Sequence, residues 1–146
     1  GHFQEKFGDV LGAVLHEGIF LVFASSADTP LPMVATRDIA EIAVQELLAD
    51  TQTSEAVDIV GPEYTERQVA RSLSVVLGKP LEVVPIPEPG WMKALVEAGF
   101  APHIAESLAD LYRADEQKRL GPRGDRSIRV TTDIDTTVRH VLAQEA

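Results

Sequence analysis

Apolar residues fall at helical spacing in several stretches of this chain, separated by short branched runs and turn residues. Phe3, Phe7, Val10, Leu11 and Val14 recur at i, i+4, i+7, i+8 and i+11, which sets them on one helical face. Gly8 and Gly12 weaken that helix by roughly 1 kcal/mol each relative to alanine, and Gly18 stops it. Residues 19–23 are continuous, aromatic and branched, as a buried strand requires. Two prolines, an aspartate and serines make residues 25–32 a loop, and a short extended piece follows over 32–35. Asp38 then stands before Ile39, Ile42, Ala43, Leu47 and Leu48, so it is read as the N-cap of a mostly buried helix.

The second half repeats the alternation. After a polar loop at 51–54, residues 56–60 form a strand closed by Gly61 and Pro62. Thr65 and Gln68 have capping-box spacing, Val69, Leu73, Val76 and Leu77 share a face, and Gly78 closes that helix. Residues 81–86 read as a strand, which Pro85 and Pro87 place at an edge. A short helix carries Trp91, Leu95 and Val96, and Pro102 opens another with Ile104, Leu108, Leu111 and Tyr112 as its stripe. A turn-rich basic loop spans 121–125. The last helix shows Ile134, Val138, Val141 and Leu142, with Thr132 or Asp133 as its cap. Alternating helices and strands indicate an α/β protein with five to six helices.

Composition narrows this picture. The 146 residues are 45% hydrophobic and 25% charged, enough for one core, and a single domain over 1–146 is expected. The absence of cysteine excludes disulfide scaffolds, thiolate metal sites and cysteine nucleophiles. The longest apolar run, residues 19–24, falls far short of the ~20 residues a membrane span needs. No basic start followed by an apolar stretch suggests a signal peptide, so a cytoplasmic location is expected. The chain begins Gly1-His2 rather than with Met, as a cleavage scar or a piece of a longer chain would.

The net charge is −10, from 23 acids and 13 bases, which argues against nucleic acid and anionic membranes as partners. Residues 1–60 hold 10 acids and 2 bases, whereas residues 113–129 hold 6 bases and 3 acids. That island reads first as a solvated surface, and second as an anion site built from Arg119, Arg123 and Arg126.

Catalytic and metal signatures are absent from the sequence. His2, His16, His103 and His140 have no metal-ligand spacing, and no G-x-S-x-G occurs. No G-x-G-x-x-G turn is present to hold a pyrophosphate at a helix start. A tyrosine with a lysine four residues on would suggest dehydrogenase acid–base chemistry, but Tyr64 is followed by Gln68 and Tyr112 by Glu116. Trp91, Met92 and Phe100, near Pro85, Pro87 and Pro89, either pack as core or line an apolar pocket.

Several stretches taken in order resemble a known family. Pro30 to Ala43, with Asp38-Ile39-Ala40 opening a helix, resembles a strand-and-helix segment of NmrA-like proteins, atypical short-chain dehydrogenases with an NAD(P)-binding Rossmann fold. Val57 to Glu63 resembles the strand and turn that follow, and the helix at 65–77, Gly78 to Pro80 and Val83 to Pro87 continue that order. His2 to Phe7 resembles the family's F-x-E-N helix start, with Lys6 in place of Asn, so the contact made by that Asn is not carried over. The resemblance spans residues 2–142 and corresponds to the C-terminal, substrate-side half of such a protein.

The resemblance implies a partial Rossmann-like half with a small, mostly parallel sheet. It implies NAD(P) only for a full-length relative, and no cofactor held by this chain alone. Its site-like positions are Phe3 and Glu5 of the first segment, with Pro32, Met33 and Trp91 as pocket walls, and no catalytic or metal residue. The expected function is binding of a small molecule without self-sufficient catalysis. An interaction or regulatory module, and a fragment of a complete NAD(P)H-dependent oxidoreductase, are the alternatives. Strands at 19–23 and 56–60 need neighbours on both edges, so the missing N-terminal half or a second copy of the chain is expected as partner.

Overall fold

The computed structural model describes residues 2–50 and 53–144. Gly1 lies outside the described residues, as do Thr51 and Gln52 of the loop expected at 51–54. The chain opens with β1 (His2–Phe3), a 3-10 helix (Gln4–Val10) and α1 (Leu11–Glu17). There follow β2 (Ile19–Val22), β3 (Leu31–Val34), α2 (Thr36–Leu48), β4 (Val57–Val60), β5 (Glu63–Tyr64) and α3 (Glu66–Leu77). Then come β6 (Glu82–Pro85), α4 (Glu88–Glu97), α5 (Pro102–Glu116), β7 (Arg126–Arg129) and α6 (Ile134–Gln144). This is the expected α/β class with six α-helices among the described residues. None of them is long and apolar enough to cross a membrane.

The strands form three small sheets rather than one. β1 runs parallel to β3, β3 antiparallel to β5, β2 parallel to β6, and β4 parallel to β7. Among the described residues β6 pairs with β2 only, in a two-stranded sheet where both strands are edges. Strands β1, β5 and β7 are absent from the sequence-based reading. Two are only two residues long, and β7, with three polar residues in four, lacks an apolar run.

Local signals were reliable where both partners are close in sequence. Thr65 and Gln68 form the capping box at the start of α3. Gly18 and Gly78 close α1 and α3 in the left-handed conformation, at φ 71° and 65°. Asp133 Oδ1 accepts from the Thr136 N–H at 2.7 Å and thereby caps α6.

Elsewhere tertiary context changed the outcome. The first segment is a strand and a 3-10 helix before α1 begins at Leu11, so Phe3 leaves the helical face and is 52% exposed. Asp38 is not an N-cap. It lies in the first turn of α2, is buried, and accepts from Thr132 Oγ1 at 2.6 Å, while Ala35 holds the cap position. Nor is α2 mostly buried, because Leu47 and Leu48 are 85% and 82% exposed. On α5 the fully buried face is Ala105 and Ala109 rather than the expected stripe, and those small residues let α4 and α5 pack closely.

One core cluster joins Phe7, Val14, Phe20, Val22, Leu73 and Val138, and the other joins Phe23, Trp91, Leu95, Ala105 and Ala109. Val10, on the 3-10 helix, packs against both. Gly61 permits the close approach of the β4–β5 turn to β3. A Cβ there would lie 2.0 Å from the Met33 carbonyl oxygen and 2.9 Å from Val34 Cα. Gly61→Ala is therefore expected to cost about 2 kcal/mol or more in urea denaturation. Gly12→Ala, where a Cβ meets nothing within 4 Å, is the control. Equal stabilities for the two variants would contradict this account.

Candidate functional site

The 3-10 helix sorts its residues by threes, since side chains at i and i+3 eclipse. Gln4, Phe7 and Val10 turn toward the core, which leaves Lys6 and Asp9 together on another edge. That edge faces α5, where Leu108, Leu111, Tyr112 and Asp115 recur at helical spacing. Between them lies a cleft of about 330 Å3, also lined by His2, Phe3, Glu5, Thr36 and Leu120. Its volume is in the range of small-molecule sites, and its walls are mostly apolar with a few polar groups. A shallower depression of about 550 Å3 between α2 and β4 belongs to the uncovered face of α2.

The polar groups of the cleft are arranged in pairs. His2 Nε2 lies 3.0 Å from Asp115 Oδ1. Burial, and then the Lys6 charge, push the His2 imidazole below its usual range, so at neutral pH this contact is a hydrogen bond from a neutral ring. Lys6 Nζ donates to the buried Glu66 carboxylate at 2.8 Å and sits 5.7 Å from the centre of the Tyr112 ring. Tyr112 stacks on Phe23 at 5.4 Å and meets Trp91 edge-on at 5.8 Å. Burial, with the Asp9 and Glu66 carboxylates beside it, pushes its hydroxyl up to about 12. Burial also raises Asp9 above the usual carboxylate range, partly offset by Lys6.

Glu5 has a structural task at the cleft wall. Its carboxylate accepts from the Thr36 N–H at 3.0 Å and from Thr36 Oγ1 at 2.8 Å. It thus supplies from a distance the side-chain acceptor that the N-cap position of α2, Ala35, cannot provide.

Of the expected pocket residues, Phe3 and Glu5 meet at the cleft. Met33 and Trp91 are core residues instead. Met33 is buried and accepts through its carbonyl from Gln4, while Trp91 is fully buried and donates from Nε1 to the Ile86 carbonyl at 2.7 Å. Pro32 is an exposed β3 residue opposite Glu63. The three arginines do not form a free cationic cluster. Arg126 binds Glu46 and Glu55, and Arg123 donates to the Arg119 carbonyl. Lys6, Asp9, Tyr112 and Asp115 were missed as site residues, although the three-residue spacing of Lys6 and Asp9 was a usable signal.

The described residues do not fit a dinucleotide cradle. Gly61 follows a strand and shortly precedes α3, but its space is filled by the Met33 and Val34 backbone. Gly124 is similarly crowded by Ala56 and Asp58, and its N–H donates to Asp58 Oδ2 at 2.6 Å. No open strand-to-helix glycine turn remains among the described residues to admit a pyrophosphate.

No protein-family model matches the chain. The chain is 26% identical over 113 residues to an NAD(P)H azoreductase of Xenophilus azovorans, covering 77% of this chain and 39% of the relative. It is 32% identical over 104 residues to the (4-alkanoyl-5-oxo-2,5-dihydrofuran-3-yl)methyl phosphate reductase of Streptomyces griseus, covering 70% of this chain and 36% of that one. Its fold matches triphenylmethane reductase of Citrobacter sp., solved with NADP(H), at a TM-score of 0.76 and 22% identity over 95% of this chain and 50% of that one. It also matches the NADPH-dependent quinone oxidoreductase of Escherichia coli, solved with NADPH, at 0.71 and 18% identity over 97% and 51%. The chain thus spans about half the length of these structures and under two fifths of the curated relatives.

The capping role of Glu5 is directly testable. Glu5→Ala is expected to lower stability by about 1 kcal/mol in urea denaturation, and Thr36→Ala in the Glu5→Ala background to add little. Additive losses from the two substitutions would show that they do not act through one contact.

Proposed function

We propose that this chain, homologous to NmrA-like NAD(P)H reductases over about half of their length, forms one domain on the small-molecule side of such a fold. It binds a small, partly apolar ligand in the cleft between the 3-10 helix and α5, and does not hold the nicotinamide dinucleotide by itself. The cleft is the observation that carries this reading: a volume of about 330 Å3, apolar walls and a few convergent polar groups. The crowded glycines support the second part, since no backbone turn in the described residues is open to a pyrophosphate. Hydride chemistry would need a nucleotide presented by protein outside residues 1–146.

The relatives' names describe reductases of azo compounds, triphenylmethane dyes, quinones and a dihydrofuranone phosphate. Unsaturated, flat molecules of that kind suit a cleft whose wall includes the Tyr112 ring and three leucines.

A second reading concerns the face of α2. Val44, Leu47 and Leu48 are exposed side by side on a helix that also presents Ile39 and Ile42 to an open depression. A face of this kind is covered in use by a protein surface, either the remainder of the fold or a second copy of the chain.

Two measurements test these readings. Calorimetric titration of the 146-residue chain with NADPH is expected to show no saturable binding, and tight binding would overturn the view that the dinucleotide site is absent. Light scattering at micromolar concentration is expected to find an assembly, which Leu47→Glu with Leu48→Glu disperses. A clean monomer before substitution would count against self-association.

A further inference from the structure

We infer that Lys6 and Tyr112 form a paired hydrogen-bond donor that recognises the neutral carbonyl oxygen of a flat ligand in the cleft. This rests on the reading of the cleft as a small-molecule site. Both groups line it, on opposite walls, and the Lys6 ammonium is 5.7 Å from the Tyr112 ring centre. Each is held in place from behind. Buried Glu66 takes one N–H of Lys6 at 2.8 Å and leaves the ammonium two more to donate. Phe23 and Trp91 fix the Tyr112 ring by stacking and edge contacts. Burial keeps the Tyr112 hydroxyl protonated to about pH 12. It is a donor at every physiological pH.

The surrounding charge selects the ligand class. Asp9, Asp115 and Glu66 flank the two donors, while His2 is kept neutral by burial and adds no positive charge. An anionic ligand would meet these carboxylates at close range. A neutral carbonyl oxygen accepts both hydrogen bonds without that repulsion, and its conjugated, flat body fits the leucine and tyrosine walls.

Three probes of one shape test this: 2-acetylnaphthalene, 2-ethylnaphthalene and 2-naphthoate, each titrated into the 15N-labelled chain. Shifts at the amides of Phe3, Asp9, Leu111 and Asp115 report occupancy of the cleft. The ketone is expected to bind roughly five- to a hundredfold tighter than the hydrocarbon, the yield of two ordinary hydrogen bonds, and naphthoate weakest. Tyr112→Phe keeps the ring stacking and should erase much of the ketone's advantage while leaving 2-ethylnaphthalene unchanged. Lys6→Met should also reduce it. Equal binding of ketone and hydrocarbon, tightest binding of naphthoate, or an advantage that survives both substitutions overturns the inference. If no probe shifts the cleft amides, the cleft reading itself fails and the inference falls with it.

Discussion

The Gln4 side chain is buried and hydrogen-bonds on every side. Its amide nitrogen donates to the carbonyls of Met33 and Thr132, at 3.2 and 2.6 Å, and its oxygen accepts from Thr137 Oγ1. Thr132 in turn donates to the buried Asp38 carboxylate. Four segments meet in this network: the 3-10 helix, β3, the first turn of α2, and the approach to α6. A buried amide leaves no room for partial pairing, because an orphaned donor costs about 1–3 kcal/mol. Among the described residues every buried side-chain nitrogen and oxygen has its partner. The network also sets the rotation of the 3-10 helix. With Gln4 turned inward, the threefold repeat sends Lys6 and Asp9 to the cleft.

That constraint explains which parts of the chain could be read in advance. Gly18, Gly78, the Thr65–Gln68 box and the Asp133 cap involve residues within a turn of each other, and all were legible. Asp38 had the right identity for a cap and a different use, because its partner Thr132 is 94 residues away. The carboxylate that accepts from the Thr36 N–H at the start of α2, Glu5, is 31 residues upstream and equally invisible to local spacing. The burial of α2 was misjudged for a related reason. Its apolar residues are suited to being covered, but the described residues contain no cover for Leu47 and Leu48. Trp91 and Met33 were correctly seen as apolar and placed near a pocket, yet they lie in the protein interior, with Trp91 behind the ring that forms the cleft wall.

The uneven charge of the chain also has a structural account. Two arginines of the basic stretch late in the sequence pair with acidic side chains that precede them. Arg126 joins Glu46 and Glu55, and Arg113 joins Glu88 and Asp110. These contacts are exposed, and each contributes little to stability. Their effect is to knit β7 to the α2–β4 region and α5 to the start of α4. The resemblance to about half of an NmrA-like reductase is compatible with this arrangement, since its ladders and helices reproduce that fold over nearly the whole chain.

The Gln4 network also bears on the order of assembly. Gln4 and Thr137 are 133 positions apart, so their contact closes a loop containing nearly the whole chain. Loop closure must precede the reward of the contacts it brings together, and such distant pairings slow folding. The 3-10 helix cannot take its final seat until α6 has arrived. Local units such as α3 with its two caps, or the α4–α5 pair, have no such dependence. The cleft, one wall of which is that 3-10 helix, is therefore among the last features of this chain to take shape.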